Sequence, residues 1–303
     1  MKSLKLWMLL TGLCPLIPTW ATGETLVFET TSPYHHIKVV DQNGMRTLHF
    51  DNTFQSQISL DDPLKGHFEY TEYFHMPWLL NDQIKTVLMI GLGGGSVQRA
   101  YQAYWPQVKT ETVELDPKVV ETAEAYFQFK KTDRMKVFLG DGRLHLRRAR
   151  KSYDLIILDA YTANRYNSFI PYTLVTKEFF ELVNTRLTDQ GILAYNVIGS
   201  ATDKRENLVG SIYNTLKTSF PQVYLFPAED SYNVVMVATK SSQRVTKRLL
   251  RQKLNQRTTA SQSGFPNFEE RLQQFRAAPP ASVKRSKIMT DDFAPVDGLI
   301  RTR

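Results

Sequence analysis

Between residues 84 and 240, apolar runs of strand length alternate with runs of helical period, and this alternation constrains the fold more than any other feature of the chain. "TVLMIG" precedes "SVQRAYQAYW", "KTETVEL" precedes "PKVVETAEAYFQF", and "MKVFLG", "YDLIILD" and "GILAYNVI" follow. Strands joined through helices of this length run parallel, with helices on both faces of the sheet. Two further strands, "QVYLFP" and "NVVMVAT", are separated only by "AEDSY", a link that suits an antiparallel hairpin and is too short for a parallel crossover. The expected class is therefore α/β, a methyltransferase-type Rossmann sheet of five parallel strands with a terminal antiparallel hairpin.

Upstream, "TLVFET", "HHIKVVD", "RTLHF" and "FQSQISLD" are short strands punctuated by the turn-forming "DQNG" and "FDN". They predict a small N-terminal antiparallel β domain over 24–66. Residues 67–83 carry aromatic and aliphatic side chains at helical spacing and predict a linking helix to the Rossmann-like domain, 84–240. Residues 241–303 form a basic extension expected to be helical: Val245, Leu249, Leu250 and Leu254 fall near helical spacing and the charges occupy the other faces.

The net charge of +8 is local. Residues 240–290 hold twelve Lys/Arg and two Glu, so the remainder is about neutral. In the basic tract "RVTKRLLRQKLNQR" no aromatic residues interleave with the charges to stack on bases, so a solvated surface is expected and no nucleic-acid partner. At the other end, Lys2 and Lys5 precede the apolar run "LWMLLTGLCPLIPTW" and the small Ala21 follows, the pattern of a signal peptide over residues 1–21. Export to the periplasm or medium is the expectation. Pro15 and Pro18 break the run, which falls short of the roughly 20 residues of a spanning helix, so no stable transmembrane anchor is expected. Cys14, the single cysteine, would leave with the signal peptide. A mature chain without cysteine has no disulfide, thiolate metal site or cysteine nucleophile.

The turn "GLGGGS" after the first parallel strand places glycines at 91, 93, 94 and 95, where a ligand can approach the backbone. Glu114 ends the next strand, where a carboxylate accepts hydrogen bonds from ribose hydroxyls. These two features fit NAD and an adenosyl ligand alike. Asp141, at the end of the third strand in "FLGDGR", favours the adenosyl ligand, because it can accept from an adenine amino group. Asp159 ends the fourth strand at the same edge of the sheet.

The motifs "YHHIKVVD", "TLHFDNTFQS", "VLMIGLGGGS", "TVELDP", "GDGR", "YDLIILDAY" and "TKEFFELVNTRLTDQGIL" occur in this order. Over roughly residues 26–240 the sequence resembles the spermidine synthase (polyamine aminopropyltransferase) family. The resemblance implies decarboxylated S-adenosylmethionine as co-substrate, an amine acceptor that attacks its aminopropyl carbon, no metal, and a homodimer. Carried over by position, Gln55 would touch the nucleoside, Gly91, Gly93, Gly94 and Gly95 would cradle its aminopropyl or amino-acid side, Glu114 would hold the ribose, and Asp141 with Gly142 the adenine. Asp159 matches the first aspartate of the active-site loop.

Two departures bear on chemistry. After the fourth strand the chain reads "DAYTANRYNSFIPY", which puts Thr162 where the family's second aspartate, the base for the amine, would stand. An alkylammonium has a pKa of about 10.4, and a threonine hydroxyl cannot take its proton near neutrality. Asp159 and Tyr161 are the nearest remaining catalytic candidates. The glycine turn also lacks the family's acidic residue, having Gly94 and Gly95 instead, which weakens attraction for a dication. The resemblance is thus to a divergent, spermidine synthase-like branch. A methyltransferase using intact S-adenosylmethionine and a non-catalytic nucleoside or polyamine binder are the alternatives.

Other chemistry is thinly represented. The histidines 35, 36, 49, 67, 75 and 145 show no metal-ligand spacing on one face with a carboxylate, so zinc is not expected. No Gly-x-Ser-x-Gly motif supports a serine hydrolase. His75 could reach a substrate from the linking helix, although a buried, hydrogen-bonded histidine is the simpler expectation. Asp291 and Asp292 in "TDDFAPVD" are expected to cap or salt-bridge.

Overall fold

In the computed structural model, which describes residues 23–163, 168–258 and 267–300, the apolar runs become strands of two principal sheets. The signal-peptide expectation and Cys14 lie outside the described residues. The first sheet is an antiparallel meander of β1 (Thr25–Thr31), β2 (His36–Gln42), β3 (Met45–Phe50) and β4 (Thr53–Ser59). Its β2–β3 hairpin turns through Asn43 and Gly44, both at positive φ, the backbone that a two-residue hairpin loop requires.

The second sheet has seven strands. In chain order they are β5 (Thr86–Ile90), β6 (Lys109–Glu114), β7 (Met135–Leu139), β8 (Tyr153–Leu158), β11 (Leu187–Ile198), β12 (Gln222–Pro227) and β13 (Asn233–Thr239). A two-residue pair, β9 (Thr162–Ala163) with β10 (Ser168–Phe169), stands apart. The order across the large sheet is β12-β13-β11-β8-β5-β6-β7. β7 through β11 are parallel, and β13 pairs antiparallel with β11 and with β12, as the short "AEDSY" link requires.

Because successive side chains point to opposite faces, each central strand feeds two cores. Val87 and Met89 of β5 join Leu155 and Ile157 of β8 on one side, while Leu88, Ile90, Ile156 and Leu158 pack on the other. Helices α1 (Ser96–Tyr104), α2 (Pro117–Tyr126), α3 (Gly142–Arg148), α4 (Lys177–Thr185) and α5 (Leu208–Leu216) connect the strands. The first core also takes in Ile37, Leu48 and Ile58, so the N-terminal sheet is packed continuously onto one face of the large one.

The expected linking helix is present from Glu69 to Leu79, as a 3₁₀ helix. Pro77 within it has no N–H to give an α-helical bond and would clash with the carbonyl four residues back. The tail is less helical than its composition implied. It holds α6 (Lys247–Thr258), α7 (Phe268–Arg271), a 3₁₀ turn and α8 (Val296–Leu299), with extended or turn backbone between. Leu250 and Leu254 of α6 are buried, and Arg276 exchanges both backbone hydrogen bonds with Leu225, covering the outer edge of β12. Among the described residues no helix is long and apolar enough to cross a membrane.

Candidate active site

β5 lies between β8 and β6, so the connections leaving its carboxyl end diverge and open a crevice there. Two contiguous cavities occupy that edge. One, of about 160 Å³, lies against the glycine turn; the other, of about 240 Å³, reaches Ser231 and Asn233 at the tip of the β12–β13 hairpin. Gln55, Tyr70 and Tyr161 line both, so they are two lobes of one site.

The turn lobe is built from strand ends. A Cβ on Gly91 would lie 2.1 Å from the Asp159 carbonyl oxygen, and its φ is +101°, so only glycine lets these two strand ends meet. Glu114, 9 % exposed, accepts from the Leu92 N–H and the Asp116 N–H, each at 2.9 Å, and thereby fixes the turn. Burial raises its pKa, against these backbone bonds, so donors from a ligand would favour the ionised form. Asp141 N-caps α3 through the Leu144 N–H at 2.6 Å and leaves its second oxygen for a ligand. Gly93, Gly142 and Thr162 also line this lobe, and the half-exposed Tyr34 and Leu115 flank its mouth.

Gly94 and Gly95 do not belong to the lining. A Cβ on Gly94 would meet Phe127 and Ser56 at 2.9 Å, and one on Gly95 would meet Phe129 at 3.1 Å, so these glycines serve close packing of the turn. Of the four glycines expected to form a cradle, Gly91 and Gly93 line this lobe. His75 is likewise removed from the site: it is buried, stacks on Tyr101, and its Nδ1 accepts from Trp105 Nε1–H at 3.0 Å. Burial lowers its pKa to about 3. Asp291 is salt-bridged to Arg143 through both oxygens at 2.7 Å and also accepts from Thr176.

At the junction of the lobes stands Asp159. Its Oδ1 accepts from Asn196 Nδ2 at 2.9 Å and its Oδ2 from the Tyr70 hydroxyl at 3.2 Å. Desolvation raises its pKa to about 6, although both hydrogen bonds act in the other direction. Tyr161 does not fit the role of base. Its hydroxyl donates to the Asn196 carbonyl at 2.9 Å, and burial beside Asp159 lifts its pKa well above that of a free tyrosine. It forms a wall of the site.

The hairpin lobe contains residues that the motifs did not single out. Asn233 Nδ2 donates to Asn196 Oδ1 at 2.9 Å and so orients the amide that holds Asp159. Behind Tyr70, the buried Glu69 accepts from Tyr73 at 2.5 Å, from the N–H groups of Glu229 and Asp230 at 2.6 and 3.0 Å, and from Arg271 at 2.8 Å. Arg271 also bonds Glu72 at 2.7 Å. One carboxylate thus ties the 3₁₀ helix bearing Tyr70 to the hairpin tip and to the C-terminal extension. Burial alone would push Glu69 upward; the hydrogen bonds from Tyr73 and the backbone, with Arg271, hold its pKa below the usual carboxylate value.

Residues 67–247 match the family model of the spermine/spermidine synthase domain. A polyamine aminopropyltransferase from Vibrio vulnificus is 27% identical over 299 residues, covering 94% of this chain and 95% of that protein. The eEF1A lysine and N-terminal methyltransferase of Xenopus laevis is 32% identical over 174 residues, but these span only 24% of its length. Among solved structures, a probable spermidine synthase from Corynebacterium glutamicum superposes with a TM-score of 0.66 at 16% identity, over 90% of this chain and 99% of that one. The chain belongs to the spermine/spermidine synthase domain family. The methyltransferase likeness is one of fold.

Proposed function

We propose that the protein transfers the aminopropyl group of decarboxylated S-adenosylmethionine to an amine. The observation that carries this reading is Asp159, a carboxylate with its pKa raised to about 6, at the junction between the lobe lined by Glu114 and Asp141 and a second cavity. Glu114 would take the ribose hydroxyls, Asp141 the adenine amino group, and Gly91 and Gly93 the close approach of the sulfonium side.

The acceptor nitrogen then faces Asp159, which takes its proton. The freed lone pair attacks the aminopropyl carbon bonded to sulfur, the new C–N bond forms, that carbon's C–S bond breaks, and its electron pair stays on the sulfur of the departing methylthioadenosine. Thr162 lines the lobe but supplies no base, so the task falls to Asp159, whose raised pKa suits it better than an ordinary carboxylate. Tyr70 and Asn196 hold the carboxylate in place.

The purified protein should release methylthioadenosine from decarboxylated S-adenosylmethionine in the presence of an amine. Release of S-adenosylhomocysteine from intact S-adenosylmethionine instead would establish a methyltransferase. The leader pattern ending at Ala21 supports export as a further part of the proposal, and N-terminal sequencing of the cell-made protein should begin near Thr22.

A further inference from the structure

We propose that the acceptor carries a single ammonium on a neutral, hydrogen-bonding body, with no second cationic end. The inference rests on the aminopropyl-transfer reading and specifies its substrate class.

Among the described residues, the hairpin lobe is walled by uncharged side chains. Phe54 and Phe68 supply aromatic surface, and the amides of Asn196 and Asn233 are joined to each other and to Asp159. Ser231 Oγ, also in the wall, is buried and has no hydrogen-bond partner among the described residues. A buried hydroxyl left unpaired is costly, and a neutral donor or acceptor on a ligand would satisfy it.

Two carboxylates come near without joining the lining. Glu69 is committed to Arg271, Tyr73 and two backbone N–H groups. Asp230, exposed beside Ser231, accepts from the Glu69 N–H at 3.1 Å and bears electrostatically on Tyr70. Residues 1–22, 164–167, 259–266 and 301–303 contain no Asp or Glu side chain.

A single ammonium is served by Asp159, which lines the adjoining turn lobe and is hydrogen-bonded to Asn196 and Tyr70 of the hairpin lobe's wall. A second one, carried into a neutral lobe, would lose hydration with no charge to replace it. The body of the acceptor can extend outward past Phe54, a residue that is 66% exposed. Both a small amino alcohol and the lysine side chain of a polypeptide have this chemistry.

The test uses the full chain saturated with methylthioadenosine, which cannot react, and measures affinities by calorimetry at pH 7.5. The probes are 5-amino-1-pentanol, 1,5-diaminopentane and Nα-acetyl-lysine amide. The neutral-tailed amines should bind about tenfold more tightly than the diamine, a difference of about 1.4 kcal/mol. Ser231→Ala should remove most of the amino alcohol's advantage while leaving methylthioadenosine affinity unchanged. Lysine amide ahead of the amino alcohol supports a polypeptide acceptor, and the reverse order a small molecule. Diamine binding equal to or tighter than both overturns the proposal, and loss of that preference in Asp230→Asn would assign the second ammonium to Asp230. If methylthioadenosine itself does not bind, the transfer reading fails, and this inference with it.

Discussion

The two lobes of the site are built on different principles. In the turn lobe, Glu114 ends β6 and Asp141 follows β7 by two residues, and both are held by backbone N–H groups, so the sheet itself sets their positions. In the hairpin lobe, Phe54 comes from β4, Tyr70 from the 3₁₀ helix, Asn196 from β11 and Asn233 from β13, and they meet only through tertiary packing. The first arrangement suits a constant ligand. The second can change its side chains without disturbing the sheet, which is where acceptor specificity would diverge.

The sharpest way to separate the lobes is at their junction. Asp159→Asn should lower kcat by about two to four orders of magnitude, the usual share of general-base catalysis, while leaving methylthioadenosine affinity within about twofold. The same variant should be more stable than the parent above pH 6. The folded-state pKa of Asp159 is raised from 3.8 to about 6, so ionisation weakens the fold, and that cost is full above the folded value and absent below the unfolded one. Denaturant unfolding should show a gain of up to about 3 kcal/mol at pH 8 that vanishes near pH 3.5.

Within the turn lobe, Glu114→Ala should weaken methylthioadenosine by about 1.5 to 3 kcal/mol, measured by titration, because it removes a charged acceptor and releases the Leu92 N–H. Glu114→Gln, which keeps an acceptor oxygen, should lose less. A comparable loss in acceptor affinity would show that the lobes are not separable.

The hairpin lobe depends on the tail. Arg271→Ala removes the cation from Glu69 and Glu72, and should raise the acceptor KM about tenfold while moving methylthioadenosine affinity little. Arg271→Lys should restore part of the loss. An equal rise in both ligands' constants would mean general unfolding and not a local effect on Tyr70 and the hairpin tip.

The turn lobe was legible in the sequence because its residues sit inside short motifs whose spacing is set by strand length, as with Gly91, Glu114, Asp141 and Asp159. Gly94 and Gly95 show the limit of that logic. A run of glycines marks close approach, and only the structure shows that Phe127 and Phe129, not a ligand, lie opposite them. In the hairpin lobe, Asn196 had left a trace as a polar residue within the apolar run "ILAYNVI". Tyr70 had not, since its neighbour Tyr73 reads the same way and is core. Arg271 was hidden in a basic tail that reads as solvated, whereas its side chain is only 13% exposed, between two carboxylates. Nothing local in a sequence separates an arginine facing water from one facing Glu69, two hundred residues earlier.

The most direct test of Asp159 as the base is the pH dependence of kcat for methylthioadenosine release under saturation with both substrates. The account predicts a rise of unit slope at low pH, bending to a plateau near pH 6 as the carboxylate ionises, with that bend absent from the residual activity of Asp159→Asn. A profile flat from pH 5 to 8, or one whose only inflection lies near the amine's own pKa of about 10, would contradict it.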